Sequence, residues 1–251
     1  EPLQQALQLA QTANDPYQTS LSFNTLGQIA FLQGDYSTAY LHCQEGLRLK
    51  RAIGDRRGMI YSLTYLGRVA EAQGTFTEAQ QLFRESLDIS QAIGDQRGMA
   101  IAWQNLGSVS LASGQLTEAE VSLRRGLAIY QSIGDRLGSS RCWLRLGELL
   151  LVRGDFAAAE NHLLQGITLA HIIASEPVLV ASIVGLAAVW LKTNRPQKAQ
   201  VCLTFVAHLP QPHLIPEIQL KRLQDELNIN YPELESVAAA PEYDLETFVQ
   251  E

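Results

Sequence analysis

Apolar residues recur along this chain at helical spacing. Trp103, Leu106 and, one turn on, the small Ser110 follow an i, i+3, i+7 course, which marks one packed face of a helix. The stretch then returns every 40 residues. Leu-Gly occurs at Leu26-Gly27, Leu66-Gly67, Leu106-Gly107 and Leu146-Gly147. Gly34, Gly74, Gly114 and Gly154 form a second column, and Ala39, Ala79, Ala119, Ala159 and Ala199 a third. Asp15, Asp55, Asp95 and Asp135 form a fourth. Four columns sharing one period define an internal repeat.

Each column has a mechanical reading. A mid-helix glycine costs ~1 kcal/mol relative to alanine. Four of them beside the packed leucines therefore predict that a second helix comes close, with the alanine column on that helix. Gly114 and its equivalents end the first helix in the left-handed cap conformation. Asn194 holds that place in the fifth unit, and Pro196 after it suits a helix start. Gly54, Gly94 and Gly134 end the second helices, with Asn14 in the equivalent place, and the aspartate that follows each can cap the next helix. Each unit thus divides into a helix of about 16 residues, a tight turn, a helix of about 18 and a short loop. Two antiparallel helices cannot bury their apolar faces alone, and stacking the pairs does so.

The predicted layout follows from the columns. Residues 1–13 are the end of a preceding repeat helix, 14–174 hold four hairpins and 175–208 a degenerate fifth. In that fifth unit Ala187 replaces the glycine, and Ala174-Ser175 replaces Gly-Asp at its start. Residues 209–230 form a Pro-rich break and a capping helix, placed at about 216–228, and 231–251 an acidic tail expected to be mobile. The apolar run from Pro177 to Leu191 is shorter than the ~20 residues a spanning helix needs, and it falls in register with a repeat helix. The chain opens without Met, inside a helix, which predicts a piece of a longer protein.

Composition narrows the function. Of 251 residues, 46% are apolar and 18% charged, as in a folded protein. The net charge is −7, but from Glu233 onward there are six acids and no base. The body is near neutral and carries no basic footprint for nucleic acid. Cys43, Cys142 and Cys202 show no CxxC spacing, so buried thiols and a cytoplasmic location are expected. No phosphate-loop, dinucleotide, zinc-protease or serine-hydrolase motif occurs, and no two histidines share a helix face at ligand spacing. Neither an enzyme nor a cofactor or metal is expected, and no membrane partner. A ladder of Arg56, Arg57, Arg97 and Arg136 beside the loop aspartates reads as capping and inter-unit pairing, with anion binding as the alternative.

Trp103-Gln104-Asn105-Leu106-Gly107 and Trp143-Leu144-Arg145-Leu146-Gly147 resemble the W-x2-L-G core of the tetratricopeptide repeat. The alanine of the second helix followed four residues on by Phe83, Leu123 or Leu163 resembles its A-x3-F segment. The 40-residue unit with its Ile-Gly-Asp-Arg loop is similar to two subgroups. One is the Pins-type adaptors and kinesin light chains, the other the C-terminal sensor arrays of bacterial STAND NTPases and transcriptional regulators. The resemblance implies an all-α, right-handed α–α superhelix with a C-terminal capping helix. It also implies that the first helices line a concave groove for a protein or peptide.

Carried onto this chain, the groove residues are Asn24 and Gln28 in the first unit and Tyr61, Thr64, Tyr65 and Arg68 in the second. Gln104 and Asn105 follow in the third, and Arg141, Arg145 and Glu148 in the fourth. These columns vary from unit to unit, as a surface reading an irregular ligand should. Towards the fifth unit the groove is expected to turn apolar through Leu144, Leu151, Val184, Ala188 and Leu191, either as an interface or under the capping helix. The ligand expected is a protein or peptide, acidic or C-terminal among the candidates, or the chain's own upstream domain. The acidic tail, with Leu245 and Phe248, is a further candidate occupant. The implied role is the sensor or scaffold part of a larger signalling or regulatory protein, with a stand-alone adaptor or co-chaperone-like scaffold as the alternative.

Overall fold

The computed structural model describes residues 2–207 and 217–231, which contain twelve helices and no strand. The chain divides into two compact units, Glu1–Ile133 and Gly134–Glu251. The first unit opens with α1 (Pro2–Thr12). Three helical hairpins follow: α2 (Pro16–Leu32) with α3 (Tyr36–Ile53), α4 (Arg56–Ala72) with α5 (Phe76–Ile93), and α6 (Gln96–Ala112) with α7 (Leu116–Ser132). The second unit holds α8 (Arg136–Arg153) with α9 (Phe156–Ile172), α10 (Glu176–Lys192) with α11 (Pro196–Ala207), and α12 (Glu217–Asn230). The leading helix of each pair is called A below and the second B.

The Leu-Gly glycines are where A and B touch. A Cβ on Gly107 would lie 2.5 Å from Leu123 Cγ and 3.2 Å from the Leu123 backbone nitrogen. A Cβ on Gly67 would lie 2.5 Å from the Phe83 ring, and one on Gly147 2.6 Å from Leu163 Cγ. The bare backbone is thus a notch, and the residue four places after each alanine of the repeat column is the knob that fills it. Phe83, Leu123 and Leu163 are fully buried there, as are the alanines themselves. Dense packing of this kind accounts for the helical cost of the glycine.

Turns and caps fall on the period. Gly34, Gly54, Gly74, Gly94, Gly114, Gly134 and Gly154 all have positive φ, and so do Asn14 at 49° and Asn194 at 56°. Ala174, in the glycine's place, is held at φ 52°, a conformation that costs an L-residue roughly 1–2 kcal/mol. Asp15, Asp55, Asp95 and Asp135 accept from the backbone N–H three residues on, at 2.8–3.0 Å. Asp35 and Asp155 do the same for the B helices α3 and α9. Ser175 starts α10 without a side-chain cap.

The second unit is closed differently. Where other turns place Asp35 or Asp155, the fifth carries Arg195. Its guanidinium grips Glu160 of α9 with two bonds, 2.9 and 2.7 Å, and Trp190 Nε1 donates to the same carboxylate at 2.8 Å. These donors hold the Glu160 carboxyl below its ordinary range, the Arg195 bonds most of all. Helix α12 packs on α10 and α11 with Leu223 and Leu227 buried. Lys192 pairs with Glu226 at 2.9 Å and Tyr231 donates to Asn194 at 2.9 Å. Of the two alternatives for the expected apolar stripe, an interface or a covered surface, the structure shows the covered one. Leu144, Val184 and Leu191 are buried because α10 is covered by α8, α9, α11 and α12, while Leu151 and Ala188 are half-buried. Most of the Pro-rich break, at 208–216, and the acidic tail, at 232–251, lie outside the described residues.

The notch and the turn glycine predict different costs. Gly107→Val should destabilise the chain by about 1–3 kcal/mol through overpacking against Leu123. Gly114→Ala, at φ 77° with nothing within 4 Å of a Cβ, should cost about 1–2 kcal/mol through backbone strain alone. Chemical denaturation of both variants checks this, and a neutral Gly107→Val would remove the notch from the account.

Candidate binding face on the A helices

The structure divides the expected groove residues into two sets. Asn24 is 6% exposed. Its Oδ1 accepts from Ser62 Oγ at 3.0 Å, and Ser62 Oγ accepts from Lys50 Nζ at 3.1 Å. Asn24 therefore braces α2, α3 and α4 and is not presented to a ligand. Thr64 is buried with Oγ1 donating to Ile60 O at 2.8 Å. Asn105 is buried too, with Nδ2 donating to Ile101 O at 2.9 Å. Gln104 is half-buried, and its Oε1 is buried with no donor among the described residues. Asn24, Thr64 and Gln104 share one repeat column. That column turns inward because successive A helices touch each other as well as their B helices, α2 with α4 and α4 with α6.

The second set faces outward. In the first unit, Leu21 and Tyr61 are exposed, Tyr61 by 47%, and Ile101 half-buried, in one column. Gln28, Tyr65 and Arg68 lie beside it, half-buried. In the second unit Arg141 is exposed, and Arg145 bonds Glu148 one turn on at 2.8 Å, so each partly neutralises the other.

Arg68 is held by aromatic rings. Its guanidinium carbon lies 4.8 Å from the Phe31 ring centroid and 5.6 Å from that of Tyr65. Ring contacts of this type contribute ~0.5–1 kcal/mol at exposed sites, and they fix the cation while leaving the N–H edge of its planar fork for an acceptor. No described carboxylate ion-pairs with it. On the B helices Arg125 is held in the same way, 4.7 Å from the Trp103 ring centroid, while the other arginines form ion pairs. Arg48 pairs with Glu45, Arg51 with Glu85, Arg84 with Glu118 and Arg124 with Glu120, all at 2.6–3.1 Å.

This contrast extends to the whole charge pattern. Helices α2, α4 and α6 carry Arg56, Arg57, Arg68 and Arg97 against one acid, Glu71. In α8, Arg136, Arg141, Arg145 and Arg153 stand against Glu148 alone. Helices α3, α5 and α7 carry six bases and six acids. Net charge hid this split, yet it can be counted from the sequence once the helix bounds are known. Of the Arg ladder, Arg57 reaches Asp95 at 3.9 Å, which is the inter-unit pairing expected. Phe31, the main support of Arg68, lies outside the four columns and gave no signal.

The remaining candidates are structural. Burial pushes the Cys43 thiol up to about 11 and that of Cys142 to about 12, with Cys202 also far above its ordinary value. His42 packs at a tilt against Phe23, and His162 meets Trp143 edge to face. Among the described residues no cluster of three or more His, Cys, Asp or Glu is placed to hold a metal, and no helix is long and apolar enough to cross a membrane.

Stacked A/B hairpins with a repeated A–B contact and a variable outward A face make this an α-helical repeat protein of the kind that binds other proteins. A tetratricopeptide repeat family model matches residues 18–92, 58–132 and 98–172, more than half the chain, and the chain belongs to that family. Comparison with curated protein sequences gives no match. Among solved structures, BtubC (BKLC) from P. vanneervenii aligns with a TM-score of 0.69 and 16% identity, over 97% of this chain and 96% of that one. A STAND signal-transduction ATPase with a tetratricopeptide repeat sensor, from Pyrococcus horikoshii, aligns with a TM-score of 0.69 and 12% identity, over 97% of this chain and 40% of that one. The nearly identical repeats of a Podosopora anserina kinesin light chain align at 0.57 and 17%, over 82% and 94%. At these identities the likeness is one of fold.

The two sets of residues predict opposite stability effects. Asn24→Ala should lower stability by about 1–3 kcal/mol, because it strands the Ser62 hydroxyl in the interior. Arg141→Ala, on the surface, should stay within about 0.5 kcal/mol of the parent. Denaturant midpoints of the two variants decide, and a neutral Asn24→Ala would return that residue to the surface set.

Proposed function

We propose that this chain is a protein-binding sensor or scaffold module, and that its first unit holds an acidic segment with apolar side chains across the A helices. The observation that carries this reading is Arg68, fixed between Phe31 and Tyr65 with no ion-pair partner among the described residues, on a helix set whose arginines outnumber its acids. An acidic ligand supplies what that face lacks, and charge-assisted bonds to guanidinium are the strong ones. Leu21, Tyr61 and Ile101 offer the apolar contacts between. Tyrosine is well suited to this, with an apolar ring and a polar tip. Tetratricopeptide repeats are protein-interaction scaffolds. Likeness to the sensor array of the STAND ATPase supports a sensing role within a signalling protein.

Fluorescence anisotropy tests the chemistry. A labelled 12-residue peptide alternating Asp or Glu with Leu and Phe should bind, and its Lys-substituted counterpart should not. Arg68→Glu should weaken binding at least tenfold, and raised salt should weaken it as well. Equal binding of the two peptides, or indifference to Arg68→Glu, would contradict the reading.

A further inference from the structure

The repeat column Ala10, Lys50, Ser90 and Tyr130 runs through the interior of the first unit, and all four residues are buried. Lys50 is the cation in it, 1% exposed. Its side chain runs beneath Gly58, where a Cβ would stand 2.8 Å from Lys50 Cδ. Its Nζ donates to Ser62 Oγ at 3.1 Å, and Ser62 Oγ donates in turn to Asn24 Oδ1 at 3.0 Å. An ammonium has three N–H donors, and this is the one hydrogen bond it makes to a described residue. No described carboxylate lies within ion-pair reach of it. The nearest, Asp55, already caps α4 through the Gly58 N–H at 2.8 Å.

A buried cation without a carboxylate partner weakens the interface that encloses it. In a linear array each hairpin is held by its neighbours, so a weak interface is a place where the stack opens. From this geometry we propose that the junction between the first two hairpins is a joint, at which α1, α2 and α3 come away from α4–α7 and unfold together, and that Lys50 is the residue that loosens it. The Phe31 to Arg68 stack spans the same junction, so opening also releases Arg68.

Protonation sets the direction. Burial lowers the Lys50 pKa from its ordinary 10.5; Asp55 and Cys43 oppose this with smaller effects. At the junction the Asp55 carboxylate, capping α4, compensates the charge only in part. Helix α2 meets the network with Asn24 and α4 with Ser62, while Arg56 and Arg57 of α4 are exposed. In the open joint Lys50 returns to its ordinary value, so opening takes up protons. Closure is weakest below the lowered value and gains strength as pH rises towards 10.5. Each unit of lowering multiplies the opening constant tenfold.

Hydrogen exchange on the full chain tests the joint. At pH 7, backbone protection in residues 3–53 should be at least tenfold lower than in 76–132. Across pH 7 to 10, protection factors corrected for intrinsic exchange should rise in 3–53 relative to 76–132. Lys50→Met, which keeps the stem and removes the charge, should raise protection in 3–53 at pH 7 and abolish the pH trend. Uniform protection across the two segments, an absent pH trend in the parent chain, or lower protection in Lys50→Met would each overturn the proposal. The first two readouts need no variant, so they decide even if Lys50→Met fails to fold.

Discussion

Everything in this array depends on how closely one helix of a pair approaches the other. Gly67, Gly107 and Gly147 remove the Cβ at the crossing, and Phe83, Leu123 and Leu163 fill the space. A knob entering a notch of backbone leaves little freedom in where the two helices cross. It therefore fixes which residues of the A helix look inward and which are left for other molecules. Positive-φ turns and aspartate caps then set the length of each helix, and so the 40-residue period.

Much of this was legible in the sequence because packing within a pair repeats. A glycine inside a helix, an alanine facing it and a Gly-Asp turn have the same physical cause in every unit, so they recur in columns. Asn14 and Asn194 could be assigned to the left-handed turn for the same reason. What did not repeat was harder to see. Asn24 and Thr64 looked like groove residues because they lie beside the core stripe of their own hairpin. Contact between successive A helices buries them, and a pattern within one hairpin does not report that contact. Leu144, Val184 and Leu191 read from sequence as an apolar stripe that was either an interface or covered, and only the packing of α12 and its neighbours on α10 decides between them. Lys50 broke the pattern of its column, yet in sequence an end-of-helix lysine reads as a favourable surface charge.

Electrostatics separates the two helix types. On the B helices, glutamates and arginines pair within a helix or with the next hairpin, as Arg51 does with Glu85 and Arg84 with Glu118. Such exposed pairs contribute little stability, ~0–1 kcal/mol each. They do neutralise that surface. On the A helices the arginines outnumber the acids, and Arg68 is positioned by aromatic rings in place of a carboxylate. The B-helix surface is thus largely neutralised by its own pairs, while Arg68 on the A side is not. The division was invisible in a net charge of −7, to which the last nineteen residues contribute six acids and no base.

The central claim is that constant columns build the stack and the outward A-helix columns read the partner. The most direct test is a footprint. Amide chemical shifts of the labelled chain should be followed while an acidic, apolar-rich peptide is titrated in. Shifts concentrated on the outward residues of α2, α4 and α6, centred on Tyr61, Tyr65 and Arg68, are the result this account predicts. Shifts concentrated on α3, α5 and α7, with those residues unmoved, would contradict it.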